Sequence, residues 1–442
     1  MSADTLDANK SEHTSSYYAA TQRDKDPFPT LTSTVTADVC IVGGGLTGVA
    51  AAVELSEAGF KVALVEANRI GWGASGRNGG QIIGGYAGRL LSDPKKVERT
   101  LGEGSVDSLV SMGTECVDII RSRIQKYQID CDLEWGFLHV ALKNREMRDI
   151  AEYYDELKEQ NYPHALRMLD ATEVRKYLGT DRYIGGMADE GWGHLQVLDL
   201  CKGEARAASN LGAEIFEQSP AERIDFGETT TVHTAQGSVK AKTTIFCGNA
   251  YLAKISPKLA PRLTPFILPA SSYIIATEPL SDAMAKSVMP RNYATCDQRT
   301  ALDYFRLSAD KRMLFGGVSN YNATAPRSIT ATLRKKMLKV FPQLSDAKID
   351  YYWGGVMGIG INRVPQLGKL APNVYYAQAY GGHGVAPTHM SARIIAEAVK
   401  GQPQRFDMMA KVRHMPFPGV GFLRQSMFAA GMSFHKLRDA LP

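Results

Sequence analysis

Hydrophobic positions near the start of the chain follow two different spacings in quick succession. A short apolar run, Asp38-Val-Cys-Ile-Val42, has the length of a buried strand, and Val49 to Ala58 has helical spacing that stops at Gly59. A second apolar run, Lys61-Val-Ala-Leu-Val65, follows and ends at Glu66. This order predicts a β-α-β unit of about 30 residues.

The remaining apolar pattern alternates between helical and strand spacing. We expect further helices and strands, a β-hairpin over 302–307 and 313–315, and a proline-rich crossing between domains at 257–269. The helices are expected at 102–127, 145–160, 199–211 and 390–399, and the strands at 133–142, 213–216, 239–247 and 374–379.

Glycine-rich segments occur at the start, in the middle and at the end of the chain. This distribution predicts an α/β fold in which a Rossmann-like dinucleotide-binding domain is discontinuous and a second domain with an antiparallel sheet is inserted. The expected boundaries are an N-terminal arm at 1–36, a dinucleotide-binding domain at 37–112, 192–262 and 350–402, a substrate-binding domain at 113–191 and 263–349, and a C-terminal tail at 403–442.

Composition narrows the possible functions. The 442-residue chain carries a net charge of +5 without a dense run of Lys and Arg, so nucleic acid is not an expected partner. The longest uncharged apolar stretch, Val39 to Val53, is too short for a membrane span and contains four glycines. Six cysteines without metal-ligand spacing, and a polar N-terminus, favour a cytoplasmic protein with no metal site.

The β-α-β unit contains a dinucleotide-binding motif. Gly43-x-Gly45-x-x-Gly48 joins the strand to the helix, which allows a tight turn, close approach of a pyrophosphate and close packing of helix on strand. Glu66 ends the second strand, where a carboxylate accepts hydrogen bonds from ribose hydroxyls. Together these features predict dinucleotide binding.

A second glycine-rich loop directly after this unit favours a flavin over a nicotinamide cofactor. In Ile70-Gly-Trp-Gly-Ala-Ser-Gly-Arg-Asn-Gly-Gly-Gln81, small residues let main-chain N–H groups approach a pyrophosphate and a flat ring. Ser75 and Arg77 can hold phosphate or flavin oxygens, and Arg77 can equally form a structural ion pair.

Two late segments offer candidate catalytic residues. In Tyr380-Gly-Gly-His-Gly-Val385 a glycine turn leads into a helix, and His383 is a candidate for oxygen activation or electrostatic support, or a structural histidine. On the strand Asp303-Tyr-Phe-Arg-Leu307, Tyr304 and Arg306 share one face. If that face lines the pocket, Arg306 can bind a substrate carboxylate, and otherwise it is a surface residue.

Taken together, these segments resemble the D-amino-acid-oxidase-like superfamily of flavoproteins. The resemblance covers nearly the whole chain, from His13-Thr-Ser-Ser-Tyr-Tyr-Ala-Ala20 to His414-Met-Pro-Phe-Pro-Gly419, and the run Ser75-Gly-Arg-Asn-Gly-Gly-Gln81 is similar to one branch in particular. That branch oxidises the free primary amine of gamma-glutamylated diamines to an aldehyde, with release of ammonia and hydrogen peroxide. The resemblance therefore implies an amine substrate and molecular oxygen as partners.

The resemblance also implies which residues contact FAD. Ala221 lies where such folds often bond the adenine through the main chain. The expected cofactor-binding residues are Gly43, Gly45, Leu46, Thr47, Gly48, Glu66, Ala67, Asn68, Gly73, Ala74, Ser75, Arg77, Asn78, Gly79, Gly80, Gln81, Ala221, Gly248, Gly382, His383, Gly384 and Val385. Trp353, Tyr304 and Tyr380 are candidates for the apolar walls that desolvate the amine, although each can instead be a core aromatic, which is the more common fate of such residues.

Two departures from related enzymes shape the expected chemistry. Sarcosine-oxidase-like relatives have a Lys, which binds the substrate carboxylate, where this chain has Ala386. They also attach the flavin to a Cys in the segment that resembles Trp353 to Arg363, and this segment has no Cys. We therefore expect non-covalent FAD and a substrate other than a small α-amino acid.

Three alternatives remain open from the sequence. An oxidase or dehydrogenase of an amino acid or N-methyl amino acid keeps the fold and changes the substrate, which Ala386 disfavours. A nicotinamide dehydrogenase is disfavoured by the loop at 71–81. A flavin-binding protein without turnover is the third, and the oligomeric state is undetermined.

Overall fold

The computed structural model describes residues 11–299, 302–320 and 329–418, and for 318–320 it describes the main chain only. In these residues seventeen strands, numbered along the chain, form two sheets. The strands are β1 (Thr34–Val42), β2 (Val62–Val65), β3 (Gln81–Ile82), β4 (Glu134–Ala141), β5 (Leu166–Asp170), β6 (Gly185–His194), β7 (Glu214–Phe216), β8 (Arg223–Asp225), β9 (Thr230–His233), β10 (Ser238–Phe246), β11 (Leu268–Thr277), β12 (Ala294–Asp297), β13 (Tyr304–Leu307), β14 (Met313–Asn320), β15 (Ile349–Ile359), β16 (Gln366–Ala371) and β17 (Val374–Gln378).

Twelve α-helices connect and cover the sheets in the same described residues. They are α1 (Tyr17–Thr21), α2 (Leu46–Glu57), α3 (Pro94–Leu101), α4 (Ser105–Tyr127), α5 (Asn144–Glu159), α6 (Ala171–Val174), α7 (Val197–Asn210), α8 (Asn249–Ile255), α9 (Asp282–Val288), α10 (Ile329–Val340), α11 (Val385–Val399) and α12 (Gln404–Ala410).

The first sheet is built around the β-α-β unit. Its order is β16-β17-β10-β1-β2-β7, and β1 pairs in parallel with both β2 and β10. Every residue of β2 is buried, and so is all of α2 except Glu57. Burial on both faces is what makes parallel strands read as continuous apolar runs. The predicted β-α-β unit is confirmed.

The second sheet is mostly antiparallel and draws strands from along the whole chain. Its order is β15-β11-β14-β13-β12-β4-β6-β3, with β5 paired to β6 and one parallel pair, β4 with β12. The hairpin β13–β14 is confirmed, as is an antiparallel sheet beside a Rossmann-like one. The boundaries of the two domains stay a prediction.

Several elements differ from the expectations. The proline-rich crossing at 257–269 runs into β11, which begins at Leu268. Pro269 lies before Ser271, the first residue of β11 that pairs with β14, so its missing N–H interrupts no hydrogen bond between these two strands. Helix α11 begins at Val385, five residues earlier than expected. The sequence pattern also did not predict β6 or β15.

The expected irregular arm is more ordered than predicted. It contains α1 and the first residues of β1, and Tyr17 and Tyr18 are buried. At the other end α12 is followed by Phe417, which is buried and donates its N–H to Pro265 O at 2.8 Å. Residues 1–10 of the predicted arm and 419–442 of the predicted tail lie outside the described residues.

Three findings concern the function classes. All six cysteines are free and buried, as predicted for Cys40 and Cys247. Within 11–299, 302–320 and 329–418, no cluster of three or more potential ligands is arranged for a metal ion. No helix in the part of the chain that the structure describes has the length and apolarity needed to cross a bilayer.

Candidate functional site

A long cavity is lined by residues of both sheets, and the turn between β1 and α2 forms one of its walls. Three glycines of this turn have no room for a side chain. Gly43 has φ +110°, a β-carbon at Gly45 would lie 2.8 Å from Ser75 Oγ, and one at Gly48 would lie 1.9 Å from Gly43 O. The turn can therefore form only with glycine here, and it leaves the N-terminus of α2 facing the cavity.

Glu66, at the end of β2, lies beneath this turn. Its two carboxylate oxygens accept the N–H of Gly44 at 2.6 Å and that of Asn68 at 2.9 Å. Burial raises the pKa of Glu66, and these two N–H donors act against that rise. A carboxylate offers about four acceptor positions, so two main-chain bonds leave capacity for ribose hydroxyls.

The loop at 71–80 forms the second wall. Ser75 Oγ accepts the N–H of Leu46 at 2.9 Å, which ties the loop to the first turn of α2. Arg77 donates from Nε to Trp72 O at 2.7 Å and stacks on the Trp72 ring at 4.4 Å, while burial lowers its pKa. Asn78 Oδ1 accepts the N–H of Gly80 at 2.8 Å. These side chains hold the loop in place against the helix.

The third wall is the turn that leads into α11. Ala379, Gly381 and Gly382 have positive φ angles of 66°, 67° and 100°, and the side chain of Tyr380 is fixed by a bond from Thr47 Oγ1 at 2.9 Å. His383 lies in this turn with its side chain exposed to the cavity. The protein walls around it, followed by the nearby cations Arg363 and Arg89, lower its pKa. Its neutral form is therefore favoured.

The second sheet supplies the wall opposite the glycine-rich turns. Tyr304 lies across the sheet because Gly316 on the next strand leaves room: a β-carbon there would lie 2.1 Å from Tyr304 Cζ. The Tyr304 hydroxyl is 3.3 Å from Ser272 Oγ. Burial raises the pKa of Tyr304, so the phenol stays protonated and can donate a hydrogen bond.

Most residues that the sequence singled out meet in this one cavity. Those that line it are Gly43, Gly45, Leu46, Thr47, Glu66, Ala67, Gly73, Ala74, Ser75, Arg77, Asn78, Gly79, Gln81, Ala221, Gly248, Tyr304, Tyr380, Gly382, His383, Gly384 and Val385. Gly48, Asn68 and Gly80 do not line it and support the turns that do.

Arg306 is neither a cavity residue nor a surface residue, the two positions expected for it. Its side chain is 3% exposed and lies behind the loop at 71–80. It donates from Nε to Gly79 O at 3.0 Å, and from Nη2 to Leu195 O at 2.8 Å and to the Tyr18 hydroxyl at 3.1 Å. This correction gives Arg306 a positioning role, because its donors are directed at the protein's own acceptors.

Trp353 also lies behind the loop and does not form a cavity wall. It is fully buried, donates from Nε1 to Arg77 O at 3.0 Å and packs edge-on against Tyr18 at 5.3 Å. Of the two fates considered for it, a core aromatic describes the structure. Trp353 and Arg306 thus brace the glycine loop from the side opposite the cavity.

The sequence did not single out several lining residues. They lie on strands of the second sheet, on α8 or in loops, and they include Tyr251, Ser272, Cys296, Leu302, Met357 and Arg363. Tyr251 lies three residues after Gly248, which the resemblance implied as an FAD contact, so it could have been found. The others come together only through strand pairing, which no local pattern reports.

The donor set of the cavity fits FAD. Gly45, the N-cap residue of α2, carries no side chain that could cap the helix, so its N-terminus can receive a pyrophosphate. Ser75 accepts from Leu46 and keeps its hydroxyl proton for a phosphate oxygen. Glu66 and Ala221 line the same cavity as the turn at 381–385, so an adenosine and a flavin ring can occupy one continuous space.

Comparisons with known proteins agree with this geometry. Residues 38–398 match the DAO family, described as FAD dependent oxidoreductase. The chain is 43% identical to gamma-glutamylputrescine oxidoreductase of Escherichia coli K12, over 97% of this chain and 99% of that protein. It is 38% identical to the probable oxidoreductase OrdL of Haemophilus influenzae, over 97% and 98% of the two chains. The crystal structure of glycine oxidase from Geobacillus kaustophilus superposes with a TM-score of 0.68 at 18% identity, covering 83% of this chain and 95% of that one.

Proposed function

Because the chain belongs to the DAO family of FAD-dependent oxidoreductases, we propose that it oxidises the free primary amine of gamma-glutamylputrescine or of a closely related gamma-glutamylated polyamine. The products are an aldehyde, ammonia and hydrogen peroxide, and the pathway served is polyamine catabolism. The 43% identity to gamma-glutamylputrescine oxidoreductase over nearly the full length of both chains carries this proposal.

When bound, FAD would supply the redox chemistry, as the acceptor of the hydride from the carbon next to the amine and the source of the electrons that, as we propose, reduce molecular oxygen. The residues of this chain have three tasks around it. They hold the cofactor, keep the amine neutral beside it and exclude water from the reacting carbon.

The electrostatics of the walls support binding of a neutral amine. Glu66 is the single carboxylate among the lining residues in the described part of the chain, and both its oxygens accept main-chain N–H groups. The other charged side chains that line the cavity are Arg77 and Arg363. The cavity offers an ammonium group no free carboxylate as a partner and removes its hydration, so the neutral amine is favoured.

If the enzyme binds the neutral amine, its activity should rise with pH. An exposed primary amine has a pKa of about 10.4, so its neutral fraction increases about tenfold for each pH unit between 7 and 10. We expect kcat/KM to increase over that interval at saturating oxygen. A flat profile from pH 6 to 10 would contradict binding of the neutral amine.

Tyr304 and His383 have distinct proposed roles on the cavity walls. The protonated Tyr304 hydroxyl, beside Ser272, can donate a hydrogen bond that orients the substrate. Neutral His383 can accept or donate a hydrogen bond without adding a charge beside the amine. Ala386 is fully buried on α11, which gives a small α-amino acid no lysine for its carboxylate.

An anaerobic visible spectrum recorded before and after addition of gamma-glutamylputrescine tests the proposal. We expect oxidised-flavin bands that bleach with this substrate, and acid precipitation should release the flavin because its attachment is non-covalent. Free putrescine, N-methyl amino acids and glycine provide the comparison panel.

Each other outcome identifies a different function. Bleaching by glycine or sarcosine alone would make the protein an amino acid oxidase. Bands that no amine bleaches would make it a flavin-binding protein without turnover.

The six buried, free cysteines support a cytoplasmic location for the enzyme.

A further inference from the structure

Arg363 is a cavity residue that forms no ion pair with any residue that the structure describes. It follows β15 in a turn that its own N–H closes by donating to Gly360 O at 3.0 Å, and its φ is +52°. Its side chain lines the cavity beside the turn at 381–385, since a β-carbon built at Gly381 would lie 3.5 Å from Arg363 Cβ. Among the described residues no carboxylate forms an ion pair with it.

Arg89 is a second cation in the same neighbourhood. It lies on a short 3-10 turn, Gly88–Leu90, is exposed, and has no ion pair in the parts of the chain that are described. Burial and the charge of Arg363 lower the pKa of Arg89, and both arginines lower the pKa of His383. Both guanidinium groups therefore contribute positive charge to the surroundings of His383, but only Arg363 lines the cavity.

This positive region is not balanced by the cavity walls. Glu66, the lining carboxylate, is engaged by Gly44 and Asn68 and is not among the charges that act on His383. A guanidinium group that lines a cavity without a carboxylate partner offers several N–H donors and a positive charge to an anion. The phosphates of FAD belong at the N-terminus of α2, so the anion that suits Arg363 must come from another molecule.

We propose that Arg363 binds the carboxylate at the far end of the substrate, while the amine at the near end is oxidised. The inference rests on the proposed function and narrows it: the substrate class is an amine that carries a remote carboxylate, as the gamma-glutamyl group does. The same charge repels a free diamine, which has an ammonium group in place of the carboxylate.

The first test changes the substrate and leaves the protein untouched. Wild-type holoenzyme is assayed with gamma-glutamylputrescine and with the analogue whose α-carboxylate is a carboxamide. A hydrogen-bonded contact to a charged group contributes enough to change binding about 10- to 100-fold, so the carboxamide should have a KM higher by that factor at a similar kcat.

The second test uses the variants Arg363→Gln and Arg89→Gln. For gamma-glutamylputrescine, KM should rise about 10- to 100-fold in Arg363→Gln and by less in Arg89→Gln, whereas KM for the carboxamide should change less than about threefold. Arg99→Gln, an exposed arginine on α3, is the matched control and should leave both constants unchanged. FAD content of each variant reports whether it is folded.

The outcomes separate this inference from the function on which it rests. If the wild-type enzyme oxidises both conjugates with equal KM, the function stands and the carboxylate subsite is overturned. If Arg363→Gln lowers kcat equally for both, Arg363 acts on the cofactor and the subsite is again overturned. If neither conjugate reduces the flavin, the proposed function fails and the subsite fails with it.

Discussion

Replacement of Arg306 by methionine should destabilise the protein and weaken FAD binding without a specific effect on substrate binding. Arg306 is 3% exposed, and its guanidinium joins three parts of the chain. These are the glycine loop through Gly79 O, the segment after β6 through Leu195 O, and the N-terminal arm through the Tyr18 hydroxyl. Methionine keeps the apolar stem and removes every donor.

The magnitude follows from the bonds that are lost. Three main-chain carbonyls, at 2.8, 3.0 and 3.3 Å, lose a charged donor, and the two shorter bonds contribute about 1.5–3 kcal/mol each. Removing a buried cation recovers part of this, because its desolvation no longer opposes folding. We expect a net loss of about 2–4 kcal/mol in the free energy of unfolding. Since Gly79 lines the cavity, FAD affinity should fall as well.

Urea unfolding of the apoprotein and titration with FAD measure the two effects separately. Arg99→Met, the same change at an exposed position of α3, should alter neither. The reasoning is refuted if Arg306→Met keeps its stability and FAD affinity and instead raises KM for carboxylate-bearing substrates. That result would make Arg306 the carboxylate ligand that the strand pattern alone allowed.

Three further predictions concern the cofactor turn and two titratable groups. Gly48→Ala should lose FAD on gel filtration, since its β-carbon would lie 1.9 Å from Gly43 O, while Gly88→Ala, with nothing within 4 Å, should keep it. If kcat falls at acid pH because His383 becomes protonated, the fall should be absent in His383→Gln. Its midpoint should lie below pH 6.5, because the pKa of His383 is lowered, and a midpoint above that pH would contradict a neutral His383. Burial raises the pKa of Asp189 from 3.8 to about 6. Its contribution to the free energy of unfolding is therefore present below pH 3.8 and is lost as pH rises through 6, a total change of about 3 kcal/mol. Unfolding measured across this pH interval should show the loss in the wild type and not in Asp189→Asn.

The parts of the fold that the sequence predicts are those that local chemistry determines. The β-α-β unit combines two short apolar runs with glycines that the turn requires, and Gly43 and Gly48 leave few alternatives. Strand β6 was not predicted, because its sequence contains four glycines and shows no alternation. It is held by its neighbours: a β-carbon at Gly186 would lie 2.2 Å from His139 O on β4, so the glycine is needed for close pairing with a distant segment.

The candidate site divides in the same way. The glycine turns around Gly45, Ser75 and His383 were predicted because each is a continuous segment. The wall formed by Ser272, Cys296 and Met357 was not, because strand register brings those residues together. Their separation along the chain leaves no local pattern to detect.

Arg306 shows the limit of strand alternation. The pattern assigned it correctly to the face that carries Tyr304, but it could not say what lies on that face. One loop packs along it: Gly79 lies against the Tyr304 ring, and its carbonyl accepts the bond from Arg306. Two neighbours on one face therefore have different roles, one toward the cavity and one toward the loop.

The arrangement of charge in the cavity explains how one scaffold can be selective for a conjugated amine. The hydride step belongs to the cofactor, so the walls act mainly by choosing which molecule reaches it. Near the turn at 381–385 the described walls offer the guanidinium group of Arg363 and no free carboxylate. Attaching a gamma-glutamyl group to a diamine converts one ammonium into a neutral amide and adds an α-carboxylate together with an α-ammonium group. In the proposed arrangement this carboxylate is the partner of Arg363, whereas a free diamine offers the same cation only an ammonium group.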